Sequence, residues 1–174
     1  MMNKAIDHQA VPVDENGLYL IFTGPGVSIN YYGYQYCVHF CGFHTVYFYS
    51  EDGIKLKFAV IGWPDESCYQ ACDVKADTPN FNPAGDTVVR VAAHEIIESI
   101  TDPEGPVGNV AWLDEMGNEV ADKCIYTYGD VSFATSANGD YYYNTQIGER
   151  YYLLQQSWRL PTQDCGLTDS SEGA

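Results

Sequence analysis

Val88-Val89-Arg90-Val91-Ala92-Ala93-His94-Glu95-Ile96-Ile97-Glu98-Ser99-Ile100-Thr101-Asp102-Pro103 is the stretch from which the rest of the chain is read. Asp86 or Thr87 stands where an N-cap belongs, and Pro103 cannot continue a helix. Val89, Ala92, Ala93, Ile96 and Ile100 recur at helical spacing and predict the core-facing stripe. His94 and Glu98 are four residues apart, so they lie one turn above the other on the opposite face, with Glu95 at its edge. His-Glu-x-x-Glu is a variant of the zinc-peptidase pattern His-Glu-x-x-His, with a carboxylate in place of the second imidazole. Two ligands one turn apart can grip one ion, and the Glu between them can polarise its bound water.

The plain alternative is the solvated side of an amphipathic helix. Two features stand against it. Val91 shares that side, and the downstream cluster Glu119-Val120-Ala121-Asp122 offers a third ligand. The expected metal set is therefore His94, Glu98 and one of Glu119 or Asp122. The remaining acidic group would orient His94, and Glu95 would serve as catalytic general base. Zinc is the first expectation. Calcium is the second, because two carboxylate ligands favour a harder ion.

The chain has 174 residues, enough for one domain with its own core. Eight basic residues against 24 acidic ones give a formal charge of −16. That argues against nucleic acid and anionic membranes, which both call for basic patches. No apolar run approaches the roughly 20 residues of a membrane span. The opening residues carry no apolar signal-peptide core, so secretion would need a leader removed from, or lying outside, this chain.

The six cysteines come as Cys37-x-x-x-Cys41, Cys68-x-x-x-Cys72, Cys124 and Cys165. Neither spacing suits a structural zinc site, so disulfides in an oxidising compartment are the better reading. The expected bridges are the local pairs Cys37–Cys41 and Cys68–Cys72, with Cys124–Cys165 tying back the C-terminal segment.

Leu18-Tyr-Leu-Ile-Phe-Thr23 reads as a buried strand between glycine-rich turns. Thr45-Val-Tyr-Phe-Tyr49 and Leu56-Lys-Phe-Ala-Val-Ile61 read as a hairpin turning at Asp52-Gly53. Asn138-Gly139-Asp140 marks a second hairpin, between residues 131–134 and 141–143. Residues 151–154 and 157–160 form a final β segment. The expected fold is α+β: a single domain with one long central helix on a mixed or antiparallel sheet and disulfide-stapled loops, open to a zincin-like core. Residues 1–16 are read as an extended N-terminal arm and 17–174 as the domain.

The 15 tyrosines point to a contact surface, for carbohydrate stacking or for another subunit. No serine or cysteine has the setting of an activated nucleophile. His8, His39 and His44 are read as surface or packed histidines rather than ligands. Gly24-Pro25-Gly26 lacks the Lys-Ser/Thr of a phosphate loop, and 114–119 lacks the turn glycine of an EF-hand. No N-glycosylation sequon occurs, and O-linked glycan is left open.

In order along the chain, several landmarks resemble the EXORDIUM, or phosphate-induced, family. These are the strand at 18–23, Tyr36-Cys-Val-His-Phe-Cys41, Ile61-Gly-Trp-Pro-Asp-Glu-Ser-Cys68 leading to Cys72, Ala121-Asp-Lys-Cys124, Gly148-Glu-Arg-Tyr-Tyr-Leu-Leu154 and Cys165. The resemblance implies an extracellular, cell-surface or cell-wall protein. This chain departs from the plant type by a shorter N-terminal region. It also carries His94, Glu95, Glu98, Glu119 and Asp122 where plant members look degenerate. It is similar in this to a microbial branch with a metallopeptidase-like core. Two functions are expected from these signals. One is an extracellular assembly subunit, filament or surface matrix, that keeps the metal site and self-associates by donating residues 10–13 to a neighbour's sheet. The other is a secreted zinc-dependent metallopeptidase.

Overall fold

The computed structural model describes residues 2–8, 10–49, 53–105 and 108–167. The predicted hairpin turn at 52–53 falls partly outside these residues. The mixed α/β reading holds at the level of one long helix, several small sheets and three disulfides.

The chain opens with α1 (Met2–Asp7) and β1 (Leu18–Phe22). The small hairpin of β2 (Asn30–Tyr31) and β3 (Tyr34–Gln35) follows, then β4 (Gly42–Phe48) and β5 (Lys55–Ile61). After a 3-10 turn at Glu66–Cys68 comes α2 (Pro83–Thr101). The remaining strands are β6 (Ser132–Ser136), β7 (Gly139–Tyr143), β8 (Thr145–Ile147), β9 (Arg150–Tyr152), β10 (Ser157–Arg159) and β11 (Asp164–Gly166).

The central sheet has the order β1-β5-β4, with β1 parallel and β4 antiparallel to β5. Strand alternation sorts its side chains into two layers. Leu56, Phe58, Tyr19, Ile21 and Tyr47 face one side, where Ile6 of α1 and Val11 close over them. Ala59 and Ile61 face the other side and receive Val88, Val91 and Ala92 of α2. His44 pairs with Ala59 and therefore belongs to the α2 layer. So do Leu20 and Phe22 of β1, but α2 packs mainly on β4 and β5, and those two side chains are 37% and 53% exposed.

Four expectations are corrected. Residues 1–16 are not an extended arm: they begin with α1, Ile6 is buried against Leu56, and the Tyr19 hydroxyl donates to the Pro12 carbonyl. Two apolar residues spaced to reach the sheet favour docking over exposure. Next, α2 starts at Pro83, with Asn82 accepting from the Gly85 amide as its cap, so Asp86 and Thr87 lie within its first turns.

The core stripe of α2 is also rotated from that expected. Of the five residues read as core-facing, Ala92 is buried, Ala93 and Ile96 are half-buried, and Val89 and Ile100 are exposed, whereas Thr87, Arg90, Glu95, Glu98 and Ser99 are buried. Hydrophobic periodicity fails here because the interior side of this helix must carry polar groups into a cleft. The last correction concerns the local cysteine pairs. The bridges are Cys37–Cys68 and Cys41–Cys72, with Cα separations of 4.9 and 5.7 Å, and Cys124–Cys165 as expected. The Cys72 amide donates to the Cys68 carbonyl, so these two thiols project side by side from successive turns. They meet the other pair rather than each other.

The C-terminal third is a run of two-stranded ribbons: β6-β7, β8-β9 and β10-β11. The Asn138 hairpin lies where predicted, but 151–154 and 157–160 contribute to separate ribbons. Most tyrosines fill the gaps between such small elements. Tyr141, Tyr143 and Tyr151 pack on one another and on Phe81, and Tyr31 stacks on Phe43. Tyr32 and Tyr34 stay outside, 84% and 60% exposed.

Candidate metal centre

A cleft of about 440 Å³ opens beside α2, with Tyr34, Val38, Phe40, Ile125 and Tyr126 among its walls. His44, His94, Glu95, Glu98, Glu119 and Asp122 all line it. Each is delivered by a braced element. His44 comes from β4 and the helix residues from α2. Glu119 and Asp122 come from the segment entering the 3-10 turn Asp122–Cys124, which Cys124–Cys165 ties to β11. Cys37–Cys68 and Cys41–Cys72 tie the approach to β4 to the loop before α2. Arg90 then anchors that loop to the helix, donating to the Cys72 and Asp73 carbonyls and the Tyr128 hydroxyl.

Gly42 explains how closely α2 approaches the sheet. A Cβ there would lie 2.6 Å from Val91 Cγ1 and 2.7 Å from Glu95 Oε1. The helix can press Glu95 against β4 only because this position has no side chain.

Glu98 is the hub. Its Oε1 accepts from the Ala121 and Asp122 amides at 3.2 and 3.0 Å, leaving Oε2 free of the backbone. Oε2 lies 3.1 Å from His94 Nε2, which is also 3.3 Å from Asp122 Oδ1. A tetrahedral ion with bonds of about 2.0–2.2 Å places its ligands about 3.3–3.6 Å apart, so these groups would part only slightly to take an ion between them. Gln155 steadies the ring: its Oε1 accepts from the Tyr126 amide and its Nε2 donates to the Ala121 carbonyl while lying 3.1 Å from His94 Nδ1.

Glu119 does not orient His94. It lies on the far side of Glu98, with Oε1 3.2 Å from His44 Nε2. His44 Nε2 donates to the Asp102 carbonyl at 2.9 Å, and Nδ1 is 3.4 Å from Glu95 Oε2 and 3.8 Å from Glu98 Oε2. His44 is thus packed, as the sequence suggested, but packed into the site. Its signal lay in strand register, since position 44 falls on the same face as Ala59. Gln155 had no such signal.

Burial works against charge on both imidazoles, yet the surrounding carboxylates prevail. Glu119 and Glu95 raise His44 to about 10, and Asp122 and Glu98 raise His94 well above its ordinary value. Burial raises Glu95, against the opposing pull of His44 and His94. A chain holding this many carboxylates in one cleft attracts cations, whether protons or metal ions. Among the described residues, two sets have ligand atoms mutually within 4.8 Å: His94 with Glu98 and Asp122, and His44 with Glu98 and Glu119.

Comparison with known proteins gives two relatives from Arabidopsis thaliana. EXORDIUM-like 3 is 29% identical over 199 aligned positions, covering 95% of this chain and 54% of the relative. EXORDIUM-like 5 is 24% identical over 176 positions, covering 88% and 47%. The chain thus spans about half the length of the curated relatives it matches. No solved structure matches. The disulfides and the EXORDIUM-like relatives point to a secreted, extracellular protein, and no helix among the described residues is long and apolar enough to cross a membrane. The family model for the phosphate-induced protein 1 conserved region matches residues 1–168, and the chain belongs to that family.

Proposed function

We propose that this domain is an extracellular metal-dependent hydrolase, with a divalent ion, zinc first and calcium second, held between His94 Nε2, Glu98 Oε2 and Asp122 Oδ1. The observation that carries the reading is the convergence of these three groups at ligand-to-ligand spacing inside an aromatic-walled cleft. A bound ion would supply Lewis acidity and an activated water. Glu95, buried beside it and held above its ordinary value by that burial, would take the water's proton. Gln155 would hold the His94 ring in place. The cleft walls would bind apolar parts of a substrate, peptides being the class to which the helix pattern points.

The test uses the oxidised protein dialysed against zinc or calcium. Elemental analysis is paired with a broad peptide-library assay, for the parent and for Glu95→Gln. The expected outcome is stoichiometric metal in both proteins and cleavage in the parent alone. Metal without cleavage in the parent would refute the hydrolase and keep the ion as a structural brace.

One observation favours a second reading, self-association into a surface assembly. The outer face of α2 leaves Val89, Ile97 and Ile100 uncovered, and β1 leaves Leu20 and Phe22 uncovered. Residues 10–13 are a poor connector, since Val11 packs on the chain's own sheet. Contact with a wall glycan would fall to Tyr32 and Tyr34, the rings most open to solvent. Sedimentation of the parent and of Ile100→Asp decides the assembly reading: a monomeric parent would end it.

A further inference from the structure

We infer a second cation site across Glu98 from the first, formed by His44, Glu119 and Glu98, so that the cleft holds a pair of ions sharing the Glu98 carboxylate. The inference rests on the metal reading above and extends it to residues outside the helix pattern.

Three observations carry it. The first is Glu119 Oε1, which is shut off from solvent and has no hydrogen-bond partner, although it lies 3.2 Å from His44 Nε2. A carboxylate oxygen can only accept, and burying it unsatisfied is costly. In the metal-free fold the protonated His44 ring 3.2 Å away offsets that cost, and a metal ion taking the proton's place would do the same.

The second is the setting of His44. The Asp102 carbonyl and Glu119 Oε1 lie 2.9 and 3.2 Å from Nε2, so two oxygens converge on that ring nitrogen. On the other side of the ring, Nδ1 faces Glu95 Oε2 at 3.4 Å. A ring nitrogen on the ion with the opposite N–H on a carboxylate is the usual support of a metal-bound histidine. Ion entry at Nε2 would displace the proton now given to Asp102 and leave Nδ1–H to donate to Glu95.

The third is charge. Glu95, Glu98, Glu119 and Asp122 face only two imidazoles here, because Arg90 is engaged by the Cys72 loop and Tyr128. One divalent ion leaves the four carboxylates with a net negative charge, and two bring them to balance. Glu98 stands between the two sets: its Oε1 is fixed by two backbone amides, its Oε2 lies 3.1 Å from His94 Nε2 and 3.8 Å from His44 Nδ1, and it belongs to both groups of ligand atoms that fall within 4.8 Å of one another. Oxygen predominates around His44, so the second ion should be a hard one of the manganese or calcium type.

Manganese titration of the oxidised protein, followed by electron paramagnetic resonance and elemental analysis, tests this. The expected result is two ions per chain with a spin-coupled spectrum. Glu119→Gln, on the rim of the cleft and checked for native circular dichroism, should lose one ion and the coupling, weakening the second ion at least tenfold. His44→Ala should do the same. A parent that binds one ion, or a Glu119→Gln protein that still binds two, overturns the second site while leaving the first intact. A parent that binds none overturns both.

Discussion

Replacing Gly42 by alanine tests whether α2 faces the sheet through Val91 and Glu95. The added Cβ would meet Val91 Cγ1 at 2.6 Å, Glu95 Oε1 at 2.7 Å and Glu95 Cγ at 3.1 Å. Non-bonded heavy atoms settle at about 3.5–4 Å, so the helix must retreat by about 1 Å or Glu95 must change rotamer. Val91 offers no escape, being a β-branched residue with one favoured rotamer in a helix. Overpacking of this kind costs about 1–3 kcal/mol, or roughly 2–12 °C in Tm for a domain of this size. Gly24 is the internal control, since a Cβ there meets nothing within 4 Å. Thermal melts of the two alanine variants should show the drop at position 42 and almost none at position 24. The retreat also moves Glu95 off His44, so ion affinity should fall in the position-42 variant alone. An unchanged Tm for Gly42→Ala would refute the helix orientation on which the site depends.

Three further outcomes follow from the packing and the charges. Removing the Cys124–Cys165 bridge, whose cysteines are 41 positions apart, should cost about 4 kcal/mol by denaturant unfolding and also loosen the ion held by Asp122; unchanged stability would contradict the bracing role. Ile6→Ala should cost about 2–4 kcal/mol through the cavity left against Leu56, and a smaller loss than 1 kcal/mol would show that α1 is not docked. His44 is raised from 6.5 to about 10 in the metal-free fold, so its contribution is fully present below pH 6.5 and lost as pH rises through 10. Melts of metal-free protein across that window should decline accordingly, and saturating metal should flatten the decline; an equal decline with metal would refute competition between ion and proton.

The sequence carried local facts better than facts about facing. Leu18 to Phe22, Lys55 to Ile61 and the Asn138 hairpin are apolar or turn signals that act over a few residues, and they lie where read. The His94–Glu98 spacing and the approach of Asp122 were likewise legible, because a helix turn fixes the first and the acidic cluster advertises the second. The orientation of α2 was not. Val89 and Ile100 belong to a convincing core stripe with Ala92, yet only Ala92 lies inside, since the interior had to admit Glu95 and Glu98. Cysteine pairing failed for a related reason. Spacing reports which thiols project together, and says nothing of the segment they meet. His44 and Gln155 reach the site by strand register and by a contact between residues 61 positions apart, information that no short window contains.

Metal content tests the central claim most directly. The oxidised protein and its His94→Ala/Glu98→Gln variant, both dialysed against zinc and then against metal-free buffer, are compared by elemental analysis. Glu98→Gln keeps an acceptor for the Ala121 and Asp122 amides, so the fold is retained while the ligand charge is lost. The expected result is at least one zinc ion per chain in the parent and none in the variant. Equal metal content in the two, or none in the parent, would contradict the account.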